Sequence, residues 1–231
     1  MVTTVVFDLD DTLYDEIDYC KSGFTAAAEF LAAVPKMPSA EHIFEVFWKQ
    51  FTTGNRKETF NTALEELGIA SAEADSDKLI TYLIKVYRNH VPKITLPAKS
   101  KNVLDQLNGK YTLALITDGF LPAQKLKVQA LGIEKYFKCI IYTEALGREF
   151  WKPSPAGFKK IMQILNKEPK DIVYLADNEK KDFIAPNKLG FLTIQLIRPA
   201  RIHTKSSPEP GASAQYVIHD ITQMPLLLDK F

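Results

Sequence analysis

Carboxylates are crowded at the end of the first apolar segment of the chain. Residues Thr3 to Leu9 have the β-branched, apolar pattern of a buried strand, and Asp8, Asp10 and Asp11 follow one another at its end. Carboxylates packed this closely repel one another and lose hydration where water is excluded, so a cation has to compensate them. The sequence therefore predicts a cation site at the end of this strand.

Two further apolar segments also end in polar side chains. Thr117 and Asp118 follow YTLALI, and Asp177 and Asn178 follow DIVYLA. In an open parallel sheet, ligands bind beyond the carboxyl ends of the strands. We therefore expect these four side chains to share one crevice with the first group of carboxylates. Lys152 lies in the loop after the segment KCIIYTE and is expected at the same rim.

A hard divalent cation explains the crowding most simply. Asp8 and Asp177 supply carboxylates from two strands, and a backbone carbonyl near Asp10 adds a third oxygen. Water or substrate oxygens then complete the octahedron that Mg²⁺ demands. The four histidines all lie in the helical segment or in the C-terminal tail. A zinc site is therefore not expected, and we predict Mg²⁺ as the cofactor.

A carboxylate beside Mg²⁺ is suited to attack phosphorus and form an aspartyl phosphate. Asp8 is assigned as this nucleophile. Asp10 is assigned as the acid that protonates the leaving group and then as the base that deprotonates the hydrolytic water. The groups expected to neutralise charge on the transferred phosphoryl group are Thr117, the backbone N–H groups at Asp118 and Gly119, and Lys152.

The elements that position these residues follow from hydrophobic periodicity. From about Asp15 to His90 the pattern has helical period and predicts about four helices. From Lys93 onward, continuous apolar strands alternate with amphipathic helices, which indicates a parallel sheet covered on both faces. We therefore expect an α/β, doubly wound parallel sheet formed by residues 1–15 and 93–231. Residues 16–92 form an inserted helical domain, whose Phe44 to Phe51 stripe is interpreted as its packed core.

The tail has a different composition from the strands and helices before it. RPARIHTKSSPEPGASAQ is rich in turn formers and predicts a mobile loop. The segment YVIHD that follows predicts an edge strand, and a short final helix is expected after it.

Four short segments resemble, in order, the motifs of the haloacid dehalogenase superfamily. They are DLDDT (8–12), LITDG (115–119), WKPSP (151–155) and LADNEKKDF (175–183). The resemblance implies a Rossmann-like core, and the insert between the first two motifs resembles that superfamily's helical cap. It implies the same roles for Asp8 and Asp10, phosphate binding by Thr117 and Lys152, and direct metal ligation by Asp177.

Two positions depart from the motifs, and one acid has more than one interpretation. The superfamily usually has Gly where this chain has Ala176, which is a small change. It more often has Asn where this chain has Asp118, and a carboxylate pointing into the site would weaken anion binding. Asp182 matches the second acid of the last motif and is expected, with Asn178, to support the site. It is alternatively the N-cap of the helix FIAPNKLG, or a carboxylate that orients Lys152.

Composition bounds the remaining possibilities. The 231 residues are 46% hydrophobic and 25% charged, with a net charge of +1, which provides no field suited to nucleic acid or an anionic membrane. No apolar run approaches the roughly 20 residues of a membrane span, and Met1 begins no secretion signal. We expect a cytoplasmic protein in which Cys20 and Cys139 are reduced thiols. The sequence carries no signal for an oligomeric state.

These observations predict a Mg²⁺-dependent phosphatase acting on a small phosphomonoester, of sugar phosphate, nucleotide or phosphoglycolate type. A phosphomutase resembling β-phosphoglucomutase is the nearest alternative, because it uses the same paired acids. A 2-haloacid dehalogenase fits less well, since that reaction needs neither a metal nor Asp10. A catalytically silent phosphate-binding module is the alternative outside enzymology.

Overall fold

A single sheet of six parallel strands organises the part of the chain that carries the predicted site. The computed structural model describes residues 1–53, 56–69 and 73–231. Within these residues the strands run in the order β3-β2-β1-β4-β5-β6. Their bounds are β1 Thr4–Phe7, β2 Thr112–Thr117, β3 Cys139–Tyr142, β4 Ile172–Ala176, β5 Leu192–Leu196 and β6 Tyr216–Ile218. The predicted α/β architecture with a parallel sheet is confirmed.

Nine helices accompany the strands in the described residues. In the first 94 residues they are α1 Glu16–Ala32, α2 Ala40–Thr53, α3 Thr59–Glu66 and α4 Glu73–Asn89. After them come α5 Ala98–Leu107, α6 Leu121–Leu131, α7 Ala156–Leu165, α8 Ile184–Leu189 and α9 Gln223–Leu228. The chain divides into two compact units, Met1–Ile17 with Thr95–Phe231, and Asp18–Ile94.

Burial decreases from the centre of the sheet to its edges. Every residue of β1 and β4 is buried, whereas two of the three residues of the edge strand β6 are exposed. Strands with helices on both faces have no water-facing side, which explains their continuous apolar sequences. β6 is the edge strand predicted in YVIHD, and α9 is the predicted final helix.

Strand register places the polar side chains at one level. Phe7, the last residue of β1, pairs with Leu115 of β2 and Leu175 of β4. Asp8 therefore follows the pairing level by one residue, and Thr117 and Asp177 follow it by two. Because β1 lies between β2 and β4, three neighbouring strands deliver these side chains to the same edge of the sheet.

The unit formed by Asp18–Ile94 is held together by aromatic packing. The ring of Phe24 on α1 lies 5.2 Å from that of Phe51 on α2, 5.7 Å from that of Phe60 and 5.0 Å from that of Tyr87. Of the stripe interpreted as core on α2, Phe47 and Phe51 are buried, whereas Phe44 and Trp48 are half-buried. On α4, Leu83 is fully buried, whereas the neighbouring Tyr82 is 57% exposed.

Two further sequence expectations bear on the fold. Neither Cys20 nor Cys139 forms a disulfide within the described residues. Among the described residues, no helix combines the length and apolar character needed to cross a membrane. Residues 198–215 contain no helix or strand, and Arg198 fixes the start of this loop by donating to the backbone oxygen of Thr12 (3.1 Å) and to Asp15 (2.8 Å).

Candidate active site

Three buried carboxylates meet at the carboxyl edge of the sheet. Oxygens of Asp8, Asp177 and Asp182 all lie within 4.8 Å of one another. Asp8 follows β1, Asp177 follows β4, and Asp182 lies before α8. The structure therefore brings together the two acids proposed from sequence as metal ligands and adds the second acid of the same segment.

Lys152 lies inside this carboxylate cluster. Its Nζ is 2.6 Å from Oδ1 of Asp8 and 2.7 Å from Oδ1 of Asp182, and its side chain is fully buried. Burial alone would lower the pKa of this amine, but the charges of Asp182 and Asp8 outweigh it and hold the pKa well above its usual value. Lys152 is therefore a fixed cation that holds the nucleophile candidate in place.

Asp182 has both oxygens committed to neighbours within the protein. Oδ1 forms an ion pair with Lys152 and accepts a hydrogen bond from the hydroxyl of Tyr174 (3.2 Å). Oδ2 accepts a hydrogen bond from the backbone N–H of Asn178 (2.9 Å). The N-cap of α8 is Phe183, so the interpretation of Asp182 as that N-cap is wrong. The observed contacts are those of the alternative interpretation, in which Asp182 orients Lys152.

Asp177 presents an oxygen that lacks a protein partner. Its Oδ2 is buried and makes no hydrogen bond within the described residues. Burial, with the charges of Asp182 and Asp8, raises the pKa of Asp177 to about 9. Burial likewise raises the pKa of Asp8 to about 7, against the lowering effect of Lys152. A cation beside these two acids would satisfy the orphaned oxygen and offset their repulsion, so the residues fit a hard divalent ion.

Asp10 is held by three side chains. Its Oδ1 accepts the Tyr14 hydroxyl (2.6 Å) and Lys127 Nζ (2.7 Å), and its Oδ2 accepts Gln124 Nε2 (2.8 Å). Burial alone would raise the pKa of Asp10, but Lys127 and these hydrogen bonds bring it below its ordinary value. In this conformation Asp10 is thus an anion, which is the form required of a base.

Thr117 ends β2 and Asp118 and Gly119 follow it. The geometry of all three depends on Gln124. Its Nε2 donates to Thr117 Oγ1 (2.9 Å) and also to the carbonyl of Asp118. Gly119 has a φ of +130°, and a Cβ there would lie 2.8 Å from Nε2 of the same glutamine. Only glycine fits this turn.

The carboxylate of Asp118 is compensated by its own partners. It accepts the Thr143 hydroxyl (2.7 Å) and the backbone N–H of Lys152 (3.2 Å), and it lies 3.4 Å from Lys181 Nζ. Burial acts to raise the pKa of Asp118, but the charges of Lys152 and Lys181 keep it lowered. The extra negative charge expected from sequence is therefore present, with donors already directed at it.

Comparison with known proteins decides the family. The model of the haloacid dehalogenase-like hydrolase family matches residues 2–190. The chain belongs to this family. The resemblance stated from four motifs is confirmed, and so is the expectation that the protein is a hydrolase.

The hydrolase is also similar to individual proteins. It is 24% identical to N-acylneuraminate-9-phosphatase of Homo sapiens, over 99% of this chain and 94% of that protein. It is 25% identical to glyceraldehyde 3-phosphate phosphatase of Methanocaldococcus jannaschii, over 86% of each chain. Among solved structures, 2-haloacid dehalogenase from Pseudomonas syringae pv. Tomato DC3000 gives a TM-score of 0.65 at 23% identity, covering 100% of this chain and 99% of the other. At that identity the likeness shows the fold alone.

Sequence reasoning missed several side chains that contact the site of the hydrolase. They are Tyr14, Gln124, Lys127, Thr143, Tyr174 and Lys181. One signal was readable in advance: Gln124 and Lys127 are three residues apart, so they share a face of α6 with buried apolar residues. A buried polar pair on such a face requires polar partners.

Lys127→Met is expected to move the pH dependence of the hydrolase. Without the ammonium 2.7 Å away, the pKa of Asp10 rises. The limb of the kcat/KM profile that reports Asp10 should then shift to higher pH by about one to three units. The matched control is Lys125→Met, because Lys125 is exposed on the same helix. Identical profiles for the two variants would exclude a role for Lys127 in setting the charge of Asp10.

Proposed function

We propose that this hydrolase is a Mg²⁺-dependent phosphatase that acts on a small phosphomonoester through an aspartyl-phosphate intermediate. The observation that carries the proposal is the pairing of Asp8 with Asp177, whose buried oxygen has no partner among the described residues. Nucleophile and cation are needed at the same place to attack a negatively charged phosphoryl group. The named activities of the curated relatives support the same reaction class.

Asp8 begins the proposed reaction. One of its oxygens forms a bond to phosphorus while the bond from phosphorus to the alcohol oxygen of the substrate breaks. Lys152 holds Oδ1 of Asp8 at 2.6 Å, which fixes the attacking carboxylate. The alcohol leaves with a proton from Asp10, which must therefore be protonated when substrate is bound.

Asp10 completes the proposed reaction. It takes back a proton from water as the water oxygen bonds to phosphorus, and the bond between phosphorus and Asp8 breaks. Phosphate and unmodified Asp8 result. The lowered pKa of Asp10 favours this second role. The first requires that its contacts with Lys127, Gln124 and Tyr14 loosen in the complex.

Mg²⁺ would be held by Asp8 and Asp177, with the backbone oxygen near Asp10, and would supply positive charge opposite the phosphoryl oxygens. Asp182 and Asn178 are proposed to hold the ligating residues in position without binding the ion themselves, since Asp182 binds Lys152 and the backbone of Asn178. Thr117, the N–H groups at Asp118 and Gly119, and Lys152 are proposed to bind the phosphate.

The proposed substrate is a small phosphorylated metabolite. The relatives are named for a phosphorylated sugar acid, a triose phosphate and, in Thermus thermophilus, phosphoserine. These share a phosphate ester on a compact polar skeleton. Residues 16–92 are proposed to act as the cap that selects the leaving group and excludes water during transfer.

Release of inorganic phosphate from a metabolite panel tests the proposal. Sugar phosphates, nucleotides, phosphoglycolate and phosphoserine are incubated with wild type in Mg²⁺ and in EDTA. We expect Mg²⁺-dependent phosphate release from at least one monoester. Isomerised sugar phosphate with little free phosphate would instead indicate a mutase, and halide release from 2-haloacids in EDTA would indicate a dehalogenase. Absence of turnover on every substrate would contradict an enzymatic role.

Metal-free protein is expected to lose stability as the pH rises. Because burial raises the pKa of Asp8 to about 7 and of Asp177 to about 9, folded protein retains protons that the unfolded chain releases near pH 4. The free energy of unfolding therefore falls between about pH 4 and about pH 9. Mg²⁺ competes with these protons, so it should raise Tm by several degrees at pH 8 and little at pH 5.

Asp177→Asn is the variant that tests this linkage. It removes the anionic ligand without removing the side-chain volume. Differential scanning calorimetry with Mg²⁺ and with EDTA should show that the Mg²⁺-dependent rise in Tm at pH 8 is largely lost. An equal rise in wild type and variant would place the cation elsewhere.

A further inference from the structure

A cavity lies at the carboxyl edge of the sheet, beside the carboxylate cluster. Its volume is about 160 Å³, and its lining includes Arg201, His203, Thr204, Lys205, Ser206 and Gln195. Gln195 pairs with Ala176 across β5 and β4, and its Nε2 donates to the carbonyl of Asp177 (2.9 Å). The cavity therefore borders the strand end that carries Asp177, but its walls are basic and hydroxyl-bearing.

The loop that forms this cavity is anchored at its base. The backbone N–H of Ile202 donates to Oδ2 of Asp11 (2.6 Å). Asp11 is buried and also accepts the N–H of Glu16 (2.9 Å), so it joins the loop after β5 to the turn after β1. Arg201 is thus attached to a fixed point, although residues 203–206 are exposed.

The chemistry of the walls selects an anion. Nη1 of Arg201 is buried and has no hydrogen-bond partner among the residues that the structure describes. A buried guanidinium nitrogen without an acceptor is costly, and an oxyanion in the cavity would satisfy it. Lys205 adds a second positive charge, and Thr204 and Ser206 add hydroxyl donors. Glu179 brings one negative charge, and its Oε1 accepts the Ser213 hydroxyl (2.7 Å).

We propose that this cavity binds the phosphate or carboxylate group of a small molecule, through Arg201 and Lys205. The volume suits one such group and is too small for a nucleotide. The group belongs either to the far end of the substrate or to a separate anion. Both sources use the same contacts.

Phosphate binding to metal-free protein tests the site independently of the proposed phosphatase activity. Isothermal titration with inorganic phosphate in EDTA measures binding without Mg²⁺. Variants of Arg201 and Lys205 isolate the basic cavity, because both residues line it and neither belongs to the phosphate site proposed around Thr117 and Lys152. We expect one site in wild type and a dissociation constant raised at least about ten-fold by Arg201→Ala or Lys205→Ala. Lys205 is exposed, so its variant is expected to fold even if Arg201→Ala does not.

Two further variants sharpen the titration. Glu179→Gln removes the negative charge from the wall and should tighten phosphate binding, the opposite direction to the Arg201 and Lys205 variants. Lys160→Ala alters an exposed lysine on α7 and should bind as wild type does. No phosphate binding by wild type in EDTA, or the same dissociation constant in all variants, would overturn the proposal.

Steady-state kinetics distinguish the far end of the substrate from a separate anion as the group that the cavity binds. This experiment, unlike the phosphate titration, rests on the proposed function. Lys205→Ala is compared with wild type on substrates that carry one or two anionic groups. A rise in KM confined to the second kind, with kcat unchanged, assigns the cavity to the far end of the substrate. Unchanged KM for both kinds, with phosphate binding lost, assigns it to a separate anion.

Discussion

Asp8→Asn is expected to lower kcat for phosphate release by roughly 10⁴-fold or more, as removal of a catalytic nucleophile does in other enzymes. An amide is not nucleophilic enough to attack phosphorus, and no covalent intermediate can form. The amide oxygen still accepts a hydrogen bond from Lys152, which also keeps Asp182 as a partner at 2.7 Å. The variant should therefore fold, and substrate should still bind.

The readout for this variant is kcat together with substrate affinity. Equilibrium binding should change far less than kcat, which separates loss of chemistry from loss of recognition. Asp229→Asn serves as the matched control, because Asp229 is exposed near the C-terminus. Activity of Asp8→Asn within ten-fold of wild type would show that another group attacks phosphorus.

Lys152→Met is expected to destabilise the protein by about 3–5 kcal/mol near neutral pH, the range observed when one partner of a buried ion pair is removed. The side chain of Lys152 is fully buried between Asp8 and Asp182. Its loss leaves two buried carboxylates facing each other without a cation. Phosphate release should also fall sharply, because the attacking carboxylate loses its anchor.

The pH dependence of this variant identifies the cause of its instability. Burial raises the pKa of Asp8 to about 7, so Asp8 is protonated at pH 5 and its repulsion with Asp182 is relieved. The deficit measured by urea denaturation should therefore be smaller at pH 5 than at pH 8. Lys188→Met, which alters an exposed lysine on α8, should unfold as wild type does. A deficit below about 1 kcal/mol at pH 8 would show that the ion pairs contribute little.

The sheet and the acids at its edge were predictable because they depend on backbone geometry. Continuous apolar segments define the strands, and parallel pairing of the backbones brings their carboxyl ends together independently of side-chain contacts. Thr117 ends β2, and Asp8 and Asp177 follow the neighbouring strands β1 and β4. The convergence of these strand ends was predicted from the sequence, but the order of the strands was not.

Side-chain pairing within the site was not predictable from the same information. Lys127 reaches Asp10 from α6, and that contact depends on how the helix is rotated against the sheet. Asp182 orients Lys152 rather than capping α8, because a buried amine offers it a stronger partner than a helix end. Asp118 looked unfavourable for anion binding, but the sequence did not reveal that Lys181 and Thr143 reach it.

Detection of a phosphoryl group on Asp8 tests the central claim most directly. Protein mixed with Mg²⁺ and a monoester that it hydrolyses is quenched in acid during turnover, digested, and measured by mass spectrometry. We predict a phosphoryl adduct on the peptide that contains Asp8, confined to that residue and absent in Asp8→Asn. Rapid turnover without an adduct on Asp8 at any quench time, or an adduct on a different residue, would contradict the account.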